Sequence, residues 1–197
     1  MATMTAVGPS VPYIRDDDEE PTDRGFMLPR GFEFVDGQLQ ELNVSQLSSY
    51  MAGRVYLKLA NFSDSRRLGW VFPEGTSYQC FADDPTRIRR ADAAFHLHSK
   101  LTLDQLRTEG DSKVVPDLVV EVVSTHDGAD EVNRKWMDWL KAGVSLVWVV
   151  HPHDRTIHAY TAPRSVQLFL ESDILTAEPV LPEFRLPMGE LFATPAD

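Results

Sequence analysis

The stretch PDLVVEVVSTHD, Pro116 to Asp127, decides the reading of this chain. Leu118 to Val123 is an apolar run of strand length, broken only by Glu121. Such a run reads as a strand buried on both faces. An ionised carboxylate in that position is costly unless a partner or a metal compensates it. The question is therefore what Glu121 faces.

Immediately after it, DEVNRKWMDWLKAG (Asp130 to Gly143) is the clearest helix. Val132, Trp136, Trp139, Leu140 and Gly143 gather on one side, and Gly143 suits the C-terminal cap. SLVWVVH and TIHAYT follow as strands, joined by the tight PHDR turn. Upstream, GFEFVDGQLQEL predicts a hairpin across Asp36-Gly37. NVSQLSSYMAGRVYLKLANF places Leu47, Met51, Val55 and Leu59 or Phe62 on one helical stripe, with Asn43 or Ser45 as the N-cap. LGWVF, YQCF and RIRRADAAFHLH read as strands, and LTLDQLRTEGDSK as a short helix or excursion. The last thirty or so residues are Pro-punctuated short strands ending in an apolar clasp near GELFA. Strands surrounding two main helices, with one strand–helix–strand unit, define a mixed α/β (α+β) fold.

A chain of 197 residues suits one well-cored domain. Its 43% hydrophobic and 25% charged residues are those of a globular protein. The single Cys80 fits a reducing compartment, and neither a signal peptide nor a membrane-length apolar stretch is present, so a cytoplasmic protein is expected. Of the net charge of −11, RDDDEEPTDR (Arg15 to Arg24) supplies −4. Residues 1–25 read as a disordered acidic tail before a folded domain over 26–197. The domain itself remains acidic, which argues against broad non-specific nucleic-acid affinity and leaves room for a local basic site.

Three residues can be tied together. Asp92 lies in a predicted strand and Glu121 in the valine strand. Lys135 borders the buried face of the following helix, three residues after Val132 and four before Trp139. Helical side chains lean toward the N-terminus, which aims its ammonium at the carboxyl end of the Glu121 strand. Two carboxylates and an amine meeting there suit Mg²⁺ or Mn²⁺, with a lysine beside a bound water. Phosphodiester hydrolysis needs these parts: an activated water, and positive charge where negative charge develops.

At these positions the chain resembles the restriction-endonuclease family called "Uma two", of the PD-(D/E)XK nuclease superfamily. GFEFVDGQL, RRADAAF, PDLVVEVVS and KWMDWLKAGVSLVWVVHP match its hallmark segments in order, over Phe26 to Phe192. The resemblance implies a restriction-endonuclease-like core: a mixed central β-sheet flanked by helices, with a metal at the strand ends and DNA as substrate. It makes Asp92 the first metal ligand, Glu121 the second and the Val122 carbonyl a candidate third. The superfamily's lysine two positions after the acid is here Val123, and the family's helix-borne lysine matches Lys135. Glu33 matches an acidic position that completes the catalytic set. The family also hints at a homodimer. Two departures stand out: Ala91-Asp92 where relatives have Pro-Asp, and His151 where an Asp is common.

Other readings of these residues stay open. Glu121 can be structural if a buried Arg or Lys pairs with it. Lys135 on a helix flank can simply snorkel. Glu33 is equally well a solvated hairpin acid. Asp117 sits at the strand's opposite end and is expected to tether its start. Arg87, Arg89 and Arg90 either contact DNA phosphates or form a solvated charge row on an edge strand. The pairs His96/His98 and His151/His153 invite a zinc reading, but no further ligand falls at a recognisable spacing. A catalytically inactive nuclease-fold module acting as a homodimer remains the rival function, favoured by the acidic surface.

Overall fold

The computed structural model describes residues 28–194 apart from Asn43. The acidic tail, and Asn43 as a cap, lie outside the described residues. The chain opens with the hairpin β1 (Phe32–Val35) and β2 (Gln38–Glu41), then helix α1 (Gln46–Arg66) and strand β3 (Gly69–Pro73). The short pair β4 (Ser77–Tyr78) and β5 (Arg89–Arg90) follows, then β6 (Ala93–Leu97) and the one-turn helix α2 (Leu103–Leu106). β7 (Leu118–Val122), helix α3 (Ala129–Ala142) and β8 (Leu146–His151) form the strand–helix–strand unit. β9 (Thr156–Ala162), β10 (Ser165–Phe169), β11 (Ile174–Ala177), β12 (Leu181–Pro187) and α4 (Met188–Phe192) complete the chain.

Local chemistry sets the ends of these elements. Asp36 and Gly37 both take positive φ, 51° and 74°, as a tight primed hairpin turn requires. Ser45 caps α1: its Oγ accepts from the Ser48 N–H at 3.0 Å, and the Ser48 Oγ accepts from the Ser45 N–H at 2.9 Å. Gly143, at φ 102°, ends α3 as expected. The buried stripe of α1 runs through Met51, Val55 and Leu59. Leu47 was expected on it but is 38% exposed, and the buried residue of that first turn is Ser48. YQCF contributes only Tyr78 to a strand, and Asp92 falls in the break between β5 and β6.

Among the described residues the central sheet has six strands in the order β10-β9-β8-β7-β6-β3. It is mixed: β7 and β8 are parallel and the other pairs antiparallel. Leu118, Val120 and Val122 pack on the α1 side, and Val119 packs with Trp136 and Trp139 of α3. Strand alternation therefore turns Glu121 toward α3. Each fully buried Leu or Val contributes about 1.5–3 kcal/mol. Four of them in β7 exceed the several kcal/mol effective penalty of one buried carboxylate. Pairing of Ala93 with Val120 brings Asp92 beside Glu121 at the same end of β7. At the other end Asp117 ties the strand down: its Oδ2 accepts from the Leu97 N–H at 2.8 Å and its Oδ1 lies 2.8 Å from Lys100 Nζ. β3 can approach β6 because Gly69 has no side chain; a Cβ there would collide with the His96 carbonyl.

Candidate active site

Asp92, Glu121 and Lys135 line one cavity of about 40 Å³, room for about three water molecules. Asp92 is clamped across the end of β7. Its N–H donates to the Val120 carbonyl at 3.0 Å, and its Oδ2 accepts from the Val122 N–H at 2.5 Å. Lys135 and Trp139 are four apart on α3 and share a face, so both reach Glu121. The Trp139 indole N–H donates to Glu121 Oε1 at 2.6 Å, and Lys135 Nζ lies 3.9 Å from Oε2.

Glu33 is fully buried behind this group, not a solvated hairpin acid. Its Oε1 lies 3.7 Å from Lys135 Nζ and accepts from the Arg90 N–H at 2.8 Å; its Oε2 accepts from Arg89 at 2.8 Å. Glu33 and Glu121 therefore share the Lys135 ammonium.

The arginine row is not a solvent-facing phosphate comb. Arg89 is fully buried, and its guanidinium bridges Glu33 and Asp138 at 2.8 and 2.7 Å. Arg87 is 8% exposed and pairs with Asp83 at 3.1 Å and Asp138 at 3.7 Å. The solvated charge row is corrected: Arg89 is engaged by two buried carboxylates, and Arg87 by the exposed Asp83 and the buried Asp138. Arg90 lines the cavity, with its guanidinium held by the carbonyls of Phe32, Gly75 and Leu28. Asp138 and Trp139 were missed as site residues. The available signal was an acid, Asp138, beside two tryptophans in the buried half of an amphipathic helix.

Electrostatics follow from this packing. Burial raises the pKa of Glu121 and of Asp92 above the ordinary carboxylate range, making both weaker acids. Asp92 and Glu33 add to the effect at Glu121, and Glu74 and Asp127 add to it at Asp92. Burial works against the charge on Lys135, but Glu121, Glu33 and Asp92 together outweigh it and hold the ammonium protonated. The cluster of Glu33, Asp92, Glu121 and Asp138 meets Lys135, Arg89 and Arg87, four acids against three cations.

A divalent cation fits that surplus. Among the described residues, no three His, Cys, Asp or Glu side chains group as metal ligands. A cation here would be held by two carboxylates, with main-chain oxygen and water completing its shell, the pattern Mg²⁺ favours. The same observation leaves the histidine pairs without a zinc site. His96 stacks on Tyr78, His98 lies edge-on to Trp70, and His151 packs on His158.

A mixed sheet between helices, with acids at the end of a central strand and a lysine on the next helix, is a restriction-endonuclease-like architecture. The family model Uma2, described as "Putative restriction endonuclease", matches residues 28–189, and the chain belongs to this family. Its fold is similar to the crystal structure of a putative nuclease belonging to DUF820 from Anabaena variabilis ATCC 29413. The two share a TM-score of 0.68 and 16% identity, over 84% of this chain and 93% of that one. No curated protein matches the chain. Among the described residues no helix is long and apolar enough to cross a membrane.

Proposed function

We propose that the protein is an Mg²⁺- or Mn²⁺-dependent endodeoxyribonuclease that hydrolyses phosphodiesters at the end of β7. The convergence of Asp92, Glu121 and Lys135 on one cavity, with negative charge in surplus, carries this reading. Asp92 and Glu121 hold the cation, with the Val122 carbonyl as a third donor. A divalent cation, when bound, makes water more acidic and offsets charge on the departing oxygen. Lys135 remains protonated, so it acts as a cation that orients the attacking water and stabilises charge growing on the phosphate, not as a proton acceptor. Glu33 is a positioning residue: Arg89, the Arg90 N–H and Lys135 already surround its oxygens. Trp139 orients the Glu121 carboxylate from the other side.

The test is cleavage of supercoiled plasmid and of single-stranded DNA with Mg²⁺ or Mn²⁺. The wild type should cut in a chelator-sensitive way and Glu121→Ala should not. Equal activity in the two proteins overturns the mechanism.

A second reading is a non-catalytic, homodimeric interaction module of the same fold. One observation favours it: Glu74, Asp127 and Glu131 also line the cavity, so an approaching phosphate meets further negative charge. This reading expects no Mn²⁺ uptake and a dimer in sedimentation at micromolar protein.

A further inference from the structure

A groove of about 330 Å³ continues directly from the candidate active site, with Val123, Asp127 and Val132 lining both. Asn133 and Trp136 of α3 stand on one side of it, and His151, His158 and Tyr160 of β8 and β9 on the other. Register explains the second wall. Val149 pairs with His158 and Val147 with Tyr160, so strand alternation puts His151, His158 and Tyr160 on the sheet face that meets α3.

His158 and Tyr160 are only half-buried, so each presents ring surface to the groove. Both rings are fixed in place. Tyr160 stacks on Trp136 at 4.1 Å and 9°, and His158 packs on His151 at 4.6 Å. The Tyr160 hydroxyl and His158 Nδ1 lie 3.5 Å apart. The exposed Asn133 accepts from the Trp136 indole N–H at 3.1 Å, which leaves its amide hydrogens for another acceptor.

The groove does not suit a phosphate. Burial, joined at His151 by the neighbouring His158, draws both imidazoles below the ordinary histidine range, against the pull of Asp154. Near neutral pH they are uncharged, and Asp127 repels an anion. Imidazole, phenol and amide groups instead offer donors and acceptors to an uncharged ligand, and the exposed ring surface offers a stacking platform. Beside a phosphate held at Asp92 and Glu121, the uncharged part of a DNA strand is a base. A base inside a duplex is paired at its edge and stacked on both faces, so only an unpaired one can enter.

We propose that this groove takes the base of a nucleotide adjoining the scissile phosphate, with His158, Tyr160 and Asn133 as its contacts, and that the substrate is single-stranded DNA. The proposal rests on the nuclease reading of the adjoining site.

Fluorescence anisotropy tests it on the wild type, with Ca²⁺ as the oxygen-liganded cation. The probes are a short labelled thymidine oligomer, its duplex, and an abasic oligomer that keeps the phosphates and lacks the bases. The intact single strand should bind about tenfold more tightly than the abasic one, the worth of one stacked base. His158→Ala and Tyr160→Ala should each bring that ratio toward one while leaving affinity for the abasic strand unchanged. Equal affinity for the two oligomers, a ratio unchanged in both variants, or a duplex bound as tightly as the single strand overturns the proposal. Should the variants not fold, ultraviolet crosslinking of a 5-iodouracil oligomer to the wild type decides. Adducts on His158 or Tyr160 support the groove, and adducts confined elsewhere overturn it. A wild type that cuts DNA yet ignores its bases overturns the groove alone. One that discriminates the bases as expected yet cuts no DNA overturns the nuclease reading alone.

Discussion

Trp139 and Glu121 are joined by a 2.6 Å hydrogen bond from indole nitrogen to carboxylate, in the buried layer between β7 and α3. Lys135, one helical turn earlier, faces the other oxygen of the same carboxylate. One helix face thus orients both oxygens of the acid that interrupts the valine strand. Trp139 looks like pure core, with Tyr78 edge-on at 5.6 Å and Phe81 tilted at 5.3 Å. Its N–H gives it a second role.

Trp139→Phe keeps most of that aromatic packing and removes the donor. Leaving a buried acceptor without its donor costs about 1–3 kcal/mol, and the variant should lose stability on that order in urea denaturation. The carboxylate, less well oriented, should also bind Mn²⁺ more weakly by calorimetry. A variant with wild-type stability and Mn²⁺ affinity would remove Trp139 from the site.

Arg89→Met leaves Glu33 and Asp138 buried without their shared cation. Removing one partner of a buried ion pair costs about 3–5 kcal/mol, so a large drop in the urea midpoint is expected. Direct phosphate contact by Arg89 would instead leave stability unchanged and weaken DNA binding, which filter binding would detect.

Lys135→Met removes the cation between Glu33 and Glu121. Loss of one preorganised electrostatic contact lowers turnover about 10²–10³-fold, and cleavage should fall by that order while DNA binding changes little. Lys135→Arg keeps the charge with a different donor geometry and should recover part of the rate. Full activity in Lys135→Met would show that the lysine is only structural.

The pH dependence of stability in the metal-free protein has a definite sign. Burial raises both Asp92 and Glu121, so the folded state keeps protons that the unfolded chain has already released. As pH rises from the ordinary carboxylate range, about 4, toward the raised folded values, the pair's contribution turns increasingly unfavourable. Glu121→Gln removes one share, so its advantage over the wild type should grow with pH in chelator and shrink in saturating Mn²⁺. Urea midpoints measured across that range decide it, and a difference that does not change with pH would contradict the account.

Much of the fold was legible because its signals are local. Asp36-Gly37 can adopt the positive φ values a tight hairpin needs, and Gly143 sits one residue past the amphipathic stripe of α3. β7 was readable as a buried strand because its short apolar run is rich in β-branched valine, and Asp117 tethers its start as expected. That Asp92 and Lys135 lie near the same end of β7 could be read because strand ends and helix faces can be placed by counting. What stayed hidden was long-range. RIRR reads as a solvated row, since nothing local says that Arg89 lies between Glu33, 56 residues earlier, and Asp138, 49 residues later. Glu33 looked like a hairpin acid for the same reason. Trp139 read as apolar bulk, because periodicity reports the face a ring occupies and not where its polar atom points.

The shared cation is tested most directly by the anomalous signal of Mn²⁺ in crystals of the wild-type protein. The account predicts one Mn²⁺ in the cavity, coordinated by carboxylate oxygens of both Asp92 and Glu121, with Lys135 beside it and no such peak in Glu121→Ala. Crystals of the wild type at saturating Mn²⁺ with no peak between Asp92 and Glu121 would contradict it.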